Sequence, residues 1–154
     1  MLAKATLALL LATALVACAP SGPIDVGVEG SDVELSASQE AASAWNEACQ
    51  RDLVRVHPGS GEILLHGQPG RIQGGHAGAT RFHDGEAVEI VVQNDDPKHA
   101  PLALAIAHEM GHALGLHHTP TGLMGVNLPS GAVGSDGRLV PGTIAQADCE
   151  AIQR

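Results

Sequence analysis

The chain has 154 residues and carries 17 acidic against 8 basic side chains, a formal net charge of −9. This acidic balance, with no basic stripe, argues against nucleic acid as a partner. The length supports a single domain. With one Trp, one Phe and no Tyr, the core has to be built from aliphatic side chains. A disulfide bridge or a bound metal would help to stabilise so small a core.

The N-terminal segment is predicted to be a secretion signal. Lys4 precedes an almost wholly apolar run from Ala5 to Ala17, which is too short for an ordinary membrane-spanning helix. The alternative is a buried N-terminal helix, but the run has no polar face to turn toward water. The run ends in Leu15-Val16-Ala17-Cys18, which resembles the lipobox of bacterial lipoproteins.

The lipobox resemblance implies that residues 1–17 are a lipoprotein signal peptide, that Cys18 carries lipid and that residues 18–23 form a tether. The protein would then be exported and anchored in a bacterial cell envelope, at the outer membrane or the cell surface. Each buried methylene of an acyl chain adds about 0.8 kcal/mol of membrane affinity, so a multiply acylated Cys18 would anchor firmly. The alternative is a cleaved signal with release into the medium.

The next elements are a strand, a helix and four more strands. Alternating apolar residues predict the first strand at 24–28. The spacing of Ser36 to Gln39 predicts a capping box at the start of the helix. The apolar face of that helix is formed by Ala41, Trp45, Ala48 and Cys49. The four further strands are predicted at residues 53–56, 63–65, 79–82 and 87–92.

The remainder of the chain is predicted to contain two helices separated by a long loop. Residues 102–114 are apolar on nearly all sides and predict a buried helix, which Gly115 ends. Residues 119–142 are rich in glycine and proline and are expected to be irregular. Thr143 is predicted to cap a last helix that runs to Ile152. We find no internal repeat, second domain or coiled coil.

Two cysteines remain if Cys18 carries lipid. Cys49 lies in the first predicted helix and Cys149 in the last, and an exported compartment permits disulfides. A bridge between them would close a loop of about 100 residues, worth up to about 4–5 kcal/mol in the chain-entropy model. The alternative is two separate buried thiols.

The segment HEMGHALGLHH, residues 108–118, carries the chemistry. His108 and His112 are four residues apart on a predicted helix, so both imidazoles lie on one face and can reach one zinc ion. Gly115 lets the chain turn, which brings His118 round as a third ligand. Three nitrogens leave a fourth position open for water, as catalytic zinc requires. Glu109 beside the first ligand is the candidate general base.

The pattern His108-Glu109-x-x-His112-x-x-Gly115-x-x-His118 is the zinc signature of the metzincins. The amino-acid sequence of this motif resembles that of the matrixins, the matrix-metalloprotease-like branch. The resemblance implies an α+β fold over residues 24–154: a small metzincin-like catalytic domain with a mixed, twisted five-stranded sheet, two long helices and a C-terminal helix. It implies one catalytic zinc ion and zinc-dependent cleavage of peptide bonds. It also implies a Met-turn, for which Met124 is the candidate, with a plain core methionine as the alternative.

The sequence departs from the matrixin pattern in several places. The interval from His118 to Met124 is short, and the chain has no tyrosine to follow the Met-turn. No cysteine-switch propeptide is expected before the domain. The histidines His66, His76 and His83 resemble the matrixin structural-zinc region, but their spacing is compressed and Gln68 stands where aspartate is expected. Solvated histidines are the preferred interpretation there. Calcium is an alternative for which no ligand pattern was recognised among Asp84, Asp95, Asp96 and Asp136.

The leading hypothesis is therefore a zinc endopeptidase that acts as a monomer on protein or peptide, with the membrane as a second partner through Cys18. One alternative is a surface lipoprotein or binding module that keeps zinc for stability without turnover; the scarcity of aromatic residues motivates it. An intact Glu109 argues against that alternative, because a structural site does not need a base. Another alternative is a zinc hydrolase of non-protein amides. His117 is off the pattern and is interpreted as a neighbour.

Overall fold

The fold was analysed in a computed structural model that describes residues 22–70, 72, 77–94, 102–135 and 138–152. Five strands form one sheet in the order β2-β1-β3-β5-β4. Their bounds are β1 Ile24–Val28, β2 Val54–Pro58, β3 Ile63–Gln68, β4 Gly78–His83 and β5 Glu86–Gln93. β1, β2, β3 and β5 pair in parallel, and β4 pairs with β5 in antiparallel fashion. The mixed five-stranded sheet expected from the sequence is confirmed.

Three helices complete the fold: α1 Asp32–Cys49, α2 Leu102–Ala113 and α3 Gln146–Ala151. α1 connects the parallel neighbours β1 and β2, as a crossover helix does. α1 also contacts α2, and α2 contacts β4 and β5, so the two long helices share one face of the sheet. The predicted element order and the irregular character of the segment between α2 and α3 are confirmed.

The start of α1 corrects the sequence analysis. The capping box is formed by Ser31 and Glu34, not by Ser36 and Gln39, so the helix begins about one turn earlier than predicted. Both segments have the Ser-x-x-Glu/Gln spacing, but only Glu34 is also bound from outside the helix. Its Oε1 accepts a hydrogen bond of 2.9 Å from Asn94 Nδ2, at the end of β5. The cap therefore joins α1 to the sheet.

The Glu34 carboxylate is buried, at 5% exposure. Burial acts to raise the pKa of Glu34, but hydrogen bonds from the Ser31 backbone and side chain, Asn94 and the Gly67 backbone outweigh it and hold the pKa below its usual value. A carboxyl group whose pKa is lower in the folded state than in the unfolded state stabilises the fold. This contribution is fully present when the pH is above the unfolded-state pKa. This contribution is lost as the pH falls through the folded-state pKa.

The core lies between the sheet and the two long helices and is mostly aliphatic, as expected. Trp45 of α1 is its largest fully buried side chain. The indole Nε1–H donates a 2.8 Å hydrogen bond to the Ala107 carbonyl of α2. This bond satisfies a buried donor and fixes α1 against α2 at the turn that precedes His108.

The C-terminal helix is shorter than predicted. α3 begins after Ala145, and Asp148 accepts a hydrogen bond of 3.2 Å from the Ala145 N–H. Thr143 is not its cap, because the Thr143 hydroxyl donates to the Val140 carbonyl in the preceding turn, at 2.7 Å. A disulfide joins Cys49 to Cys149 across 100 residues of sequence, which confirms the bridged alternative.

The predicted signal peptide (residues 1–17), Cys18 and most of the tether lie outside the described residues, so these predictions stay predictions. Among the helices that the structure describes, none is long and apolar enough to cross a membrane.

Replacing both bridged cysteines, Cys49→Ser with Cys149→Ser, should lower the free energy of unfolding by as much as about 4–5 kcal/mol, because the unfolded chain regains the freedom of a 100-residue loop. Urea unfolding measures the change. Wild-type protein unfolded under reducing conditions is the matched control and should behave as the double variant does. A loss smaller than about 0.5 kcal/mol, the size of an ordinary surface substitution, would contradict the predicted contribution of the bridge.

Candidate metal centre

Helix α2 carries the first two histidines of the predicted site. His108 and His112 are one turn apart, and their ring centroids lie 4.8 Å from each other. The helix is buried along most of its length, so its backbone is held firmly while the two rings face the same side. His108 is buried and His112 is half-buried. The pair is therefore set at the boundary between core and solvent.

A tight turn after α2 brings the third histidine to this pair. Gly115 has φ +92°, a left-handed backbone conformation that residues with a side chain rarely adopt. The Gly115 N–H donates to the His112 carbonyl and the Leu116 N–H to the Gly111 carbonyl, both at 2.9 Å. These two bonds form a Schellman motif. The chain then runs back, and His118 reaches the other two rings.

The three imidazoles converge through their Nε2 atoms. His118 Nε2 lies 3.2 Å from His108 Nε2 and 3.1 Å from His112 Nε2. Tetrahedral zinc with ligand nitrogens at about 2.0–2.1 Å would hold two of them about 3.3 Å apart. The nitrogen spacing is thus close to that of a zinc site, and these three residues form the one such His, Cys, Asp or Glu cluster that the described residues contain.

The hydrogen bonds of the two helical histidines set the direction of their lone pairs. His108 Nδ1 lies 2.6 Å from the Leu123 carbonyl oxygen, and His112 Nδ1 lies 2.9 Å from the Leu116 carbonyl oxygen. A carbonyl only accepts, so each Nδ1 carries the hydrogen and, in a neutral ring, each Nε2 presents a lone pair. His118 Nε2 has at most one hydrogen to offer these two acceptors. A cation at the centre would satisfy all three nitrogens, so the donor set fits zinc.

Met124 packs against α2 at Gly111, and its role as a Met-turn stays a prediction. It is fully buried, and a Cβ on Gly111, between the two histidines, would overlap Met124 Sδ and approach Trp45 at 3.0 Å. The Thr119 N–H donates to the Met124 carbonyl at 2.9 Å. This bond closes the short interval after His118, so the segment that carries the third histidine is tied directly to the turn at Met124.

Glu109 is buried at 5% exposure and faces β4. The Thr80 Oγ1 lies 2.8 Å from Glu109 Oε2 and 2.9 Å from the Glu109 carbonyl oxygen. Gly78, two residues earlier on the same face of β4, leaves the space that the Glu109 side chain fills: a Cβ there would lie 2.6 Å from Glu109 Cγ. His108 and Glu109 also line one cavity of about 50 Å³. The candidate base is thus ordered beside a candidate ligand.

Among the described residues, those proposed for further metal ions do not join this centre. His66 Nε2 lies 2.7 Å from Glu89 Oε1; this hydrogen bond, with help from Arg81, holds the pKa of Glu89 below its usual value. His83 lies beside Asp84 on the exposed turn between β4 and β5, 3.4 Å from its carboxylate. His117 is exposed and outside the cluster. His76, Asp95, Asp96 and Asp136 lie outside the described residues.

Sequence reasoning missed the partners of the site residues. The carbonyls of Leu116 and Leu123 and the side chain of Thr80 each hold a site residue in place. The alternation of β4 puts positions 78 and 80 on one face. No pattern in the sequence pairs that face with Glu109.

Comparisons with known proteins give a family. A family model described as Matrixin matches residues 36–153. Among solved structures, "Structure of Myroilysin" matches with a TM-score of 0.46 and 17% identity, covering 66% of this chain and 46% of that chain. The chain thus spans less than half the length of that structure. No curated protein matches the sequence.

The purified protein should bind one zinc ion through the cluster. Replacing a ligand, His112→Ala, should weaken binding more than about a hundredfold, because loss of even an outer partner of a ligand costs 10–100-fold. Competition with a chromophoric chelator measures the affinity. His117→Ala is the matched control, because its ring is a neighbour outside the cluster, and its affinity should equal that of the wild type. Equal affinities for the two variants would contradict the ligand assignment.

Proposed function

The chain belongs to the matrixin family, and on this premise we propose that it is a zinc-dependent endopeptidase. His108, His112 and His118 would hold the zinc ion, and Glu109 would be the general base. The observation that carries the proposal is the convergence of three Nε2 atoms within 3.1–3.2 Å of one another along the two measured pairs. Two of these three rings are oriented by backbone carbonyls rather than by one another.

The chemistry divides between the metal and the chain. When bound, zinc polarises a substrate carbonyl and makes a water molecule more acidic. Glu109 receives a proton on its carboxylate and passes it to the departing amine. Its burial between α2 and β4 keeps bulk water away from that transfer and leaves the carboxylate one principal orientation. His108 and Glu109 share one cavity, so the scissile amide would lie at its mouth.

The strand beside Glu109 supports an extended peptide as the substrate. β4 is the last strand of the sheet and pairs only with β5 among the described strands. Its outer edge can therefore accept an additional strand through main-chain hydrogen bonds. Thr80 belongs to this strand and contacts Glu109, so a peptide added along the edge would lie next to the base. Unfolded protein fits this requirement better than a compact fold.

Membrane anchoring is part of the proposal and rests on the sequence alone. The apolar run that ends at Cys18 supports export and lipidation, with the domain displayed at the outer membrane or cell surface of a bacterium. The flexible composition of residues 18–23 would let the domain reach substrates near the surface. Release as a secreted protein is the alternative outcome.

Endopeptidase activity should depend on zinc and on Glu109. Wild-type protein should cleave an unfolded protein and leave the same protein intact when it is folded. A zinc chelator should abolish cleavage, and added zinc should restore it. Glu109→Ala should lower kcat at least about a hundredfold, the lower end of what general-base catalysis contributes, while zinc affinity stays unchanged.

Glu150→Ala is the matched control for Glu109→Ala, because Glu150 is an exposed carboxylate of α3; its activity should equal that of the wild type. Cleavage by Glu109→Ala at the wild-type rate would contradict the role of Glu109 as the general base. Stoichiometric zinc with no cleavage of any unfolded protein would favour the non-catalytic, zinc-stabilised surface protein instead.

Lipidation should require Cys18. Expressed in a bacterial host, the full chain should incorporate labelled fatty acid and sediment with the membrane fraction, whereas Cys18→Ser should do neither, because the thiol is the only group in the proposed lipobox that can carry the lipid. Fractionation and mass spectrometry of the mature N-terminus measure both. A wild-type protein found unlipidated in the medium would support the cleaved-signal alternative.

A further inference from the structure

Thr80 is not one of the clustered histidines, yet its hydroxyl contacts the proposed base. Its hydroxyl oxygen is 2.8 Å from Glu109 Oε2 and 2.9 Å from the Glu109 main-chain oxygen. Both acceptors belong to the same residue. The hydroxyl oxygen of Thr80 is therefore within hydrogen-bond distance of both the carboxylate and the main-chain oxygen of Glu109. The Glu109 side chain bends back toward its own backbone.

A threonine hydroxyl has one hydrogen to donate, and the two acceptors differ in strength. A hydrogen bond to an ionised carboxylate is roughly twice as strong as one to a neutral carbonyl. The hydrogen is therefore directed mainly at Oε2, and the main-chain oxygen is a second, weaker acceptor of the same hydrogen. Thr80 therefore holds one of the two carboxylate oxygens of Glu109 in place.

Gly78 completes this arrangement on the same face of β4. A Cβ at position 78 would lie 2.8 Å from Glu109 Oε1, closer than real Cβ contacts allow. Glu109 therefore lies in a space bounded by the missing side chain of Gly78 and by the hydroxyl of Thr80. Because β4 also provides the outer edge of the described sheet that is proposed for the peptide, one strand would position both the base and the substrate.

From these contacts we propose that Thr80 is a positioning residue for the reaction: its hydroxyl fixes the Glu109 carboxylate in the orientation that takes up and delivers the proton. The inference rests on the proposed endopeptidase function and assigns a role within it that lies outside the zinc signature. Both hydrogen bonds of the Thr80 hydroxyl described above go to Glu109, so Thr80 would act through that residue.

The test compares two substitutions at position 80. Thr80→Val removes the hydroxyl and keeps the shape and β-branching of the side chain, whereas Thr80→Ser keeps the hydroxyl. Loss of a hydrogen bond to a charged group should lower kcat about tenfold to hundredfold in Thr80→Val. KM should stay within about twofold, because hydrogen bonding to the base affects the transition state rather than substrate binding. Thr80→Ser should recover most of the lost kcat.

Thr143→Val is the matched control for the loss of a threonine hydroxyl. Thr143 donates to the backbone of the turn before α3, and its kcat and KM should equal those of the wild type. Zinc affinity, measured by chelator competition, should be the same in all these proteins. Unchanged zinc affinity with reduced kcat separates positioning of the base from damage to the metal centre.

A double-mutant cycle in the metal-free protein tests the contact without activity. The free energies of unfolding of wild type, Thr80→Val, Glu109→Ala and the double variant should show coupling between the two positions. In the activity assay, Thr80→Val should cause no further loss in the Glu109→Ala background. If Thr80→Val fails to fold, Thr80→Ala replaces it, because a half-buried site on an edge strand tolerates truncation.

The outcomes separate the two proposals. A wild-type protein that cleaves nothing overturns the endopeptidase function and the role of Thr80 with it. An active wild type with unchanged kcat in Thr80→Val overturns the positioning role alone, as does a Thr80→Ser variant as impaired as Thr80→Val. Reduced kcat, serine rescue and coupling in the unfolding cycle together support it.

Discussion

Two backbone hydrogen bonds close the turn after α2, and the three-histidine cluster depends on them. They run from Gly115 to His112 and from Leu116 to Gly111, and they require the left-handed conformation at Gly115. The same turn directs the Leu116 carbonyl at His112 Nδ1. The left-handed conformation at Gly115 therefore orients the His112 ring. It also reverses the chain direction, so that His118 lies close to that ring. A side chain at position 115 would strain this backbone.

The histidine cluster rests on a few closely packed residues of the core. Gly111 lets Met124 and Trp45 lie directly against α2, between the turns that carry His108 and His112. Trp45 also binds the Ala107 carbonyl. With one tryptophan, one phenylalanine and no tyrosine in the chain, the core has little aromatic surface to bury. A single indole placed between α1, α2 and the turn at Met124 therefore orders the part of the core on which the site rests.

The sheet holds the Glu109 side of the site, and the disulfide holds the side that α3 borders. β4 supplies the face against which Glu109 packs, and the hydrogen bonds of Glu34 tie α1 to the end of β5. The bridge from Cys49 to Cys149 fixes α3 to the end of α1. Residues of α3 and of the segment 114–119 line one open groove, so the bridge also holds the helix that borders the third histidine.

The sequence alone determined the element order, the three clustered histidines and the hinge at Gly115, and it pointed to Glu109 as the candidate base, because the helical spacing of the motif and the conformational freedom of glycine are local properties. It misplaced the caps of α1 and α3. Ser31 and Ser36 have the same capping spacing, and the contacts of Glu34 with Asn94 and with the Gly67 backbone distinguish them. Only the tertiary structure paired Cys49 with Cys149, placed Met124 against Gly111 and brought Thr80 to Glu109. These contacts join residues far apart in the chain, and their geometry depends on how helices pack on the sheet rather than on any local pattern.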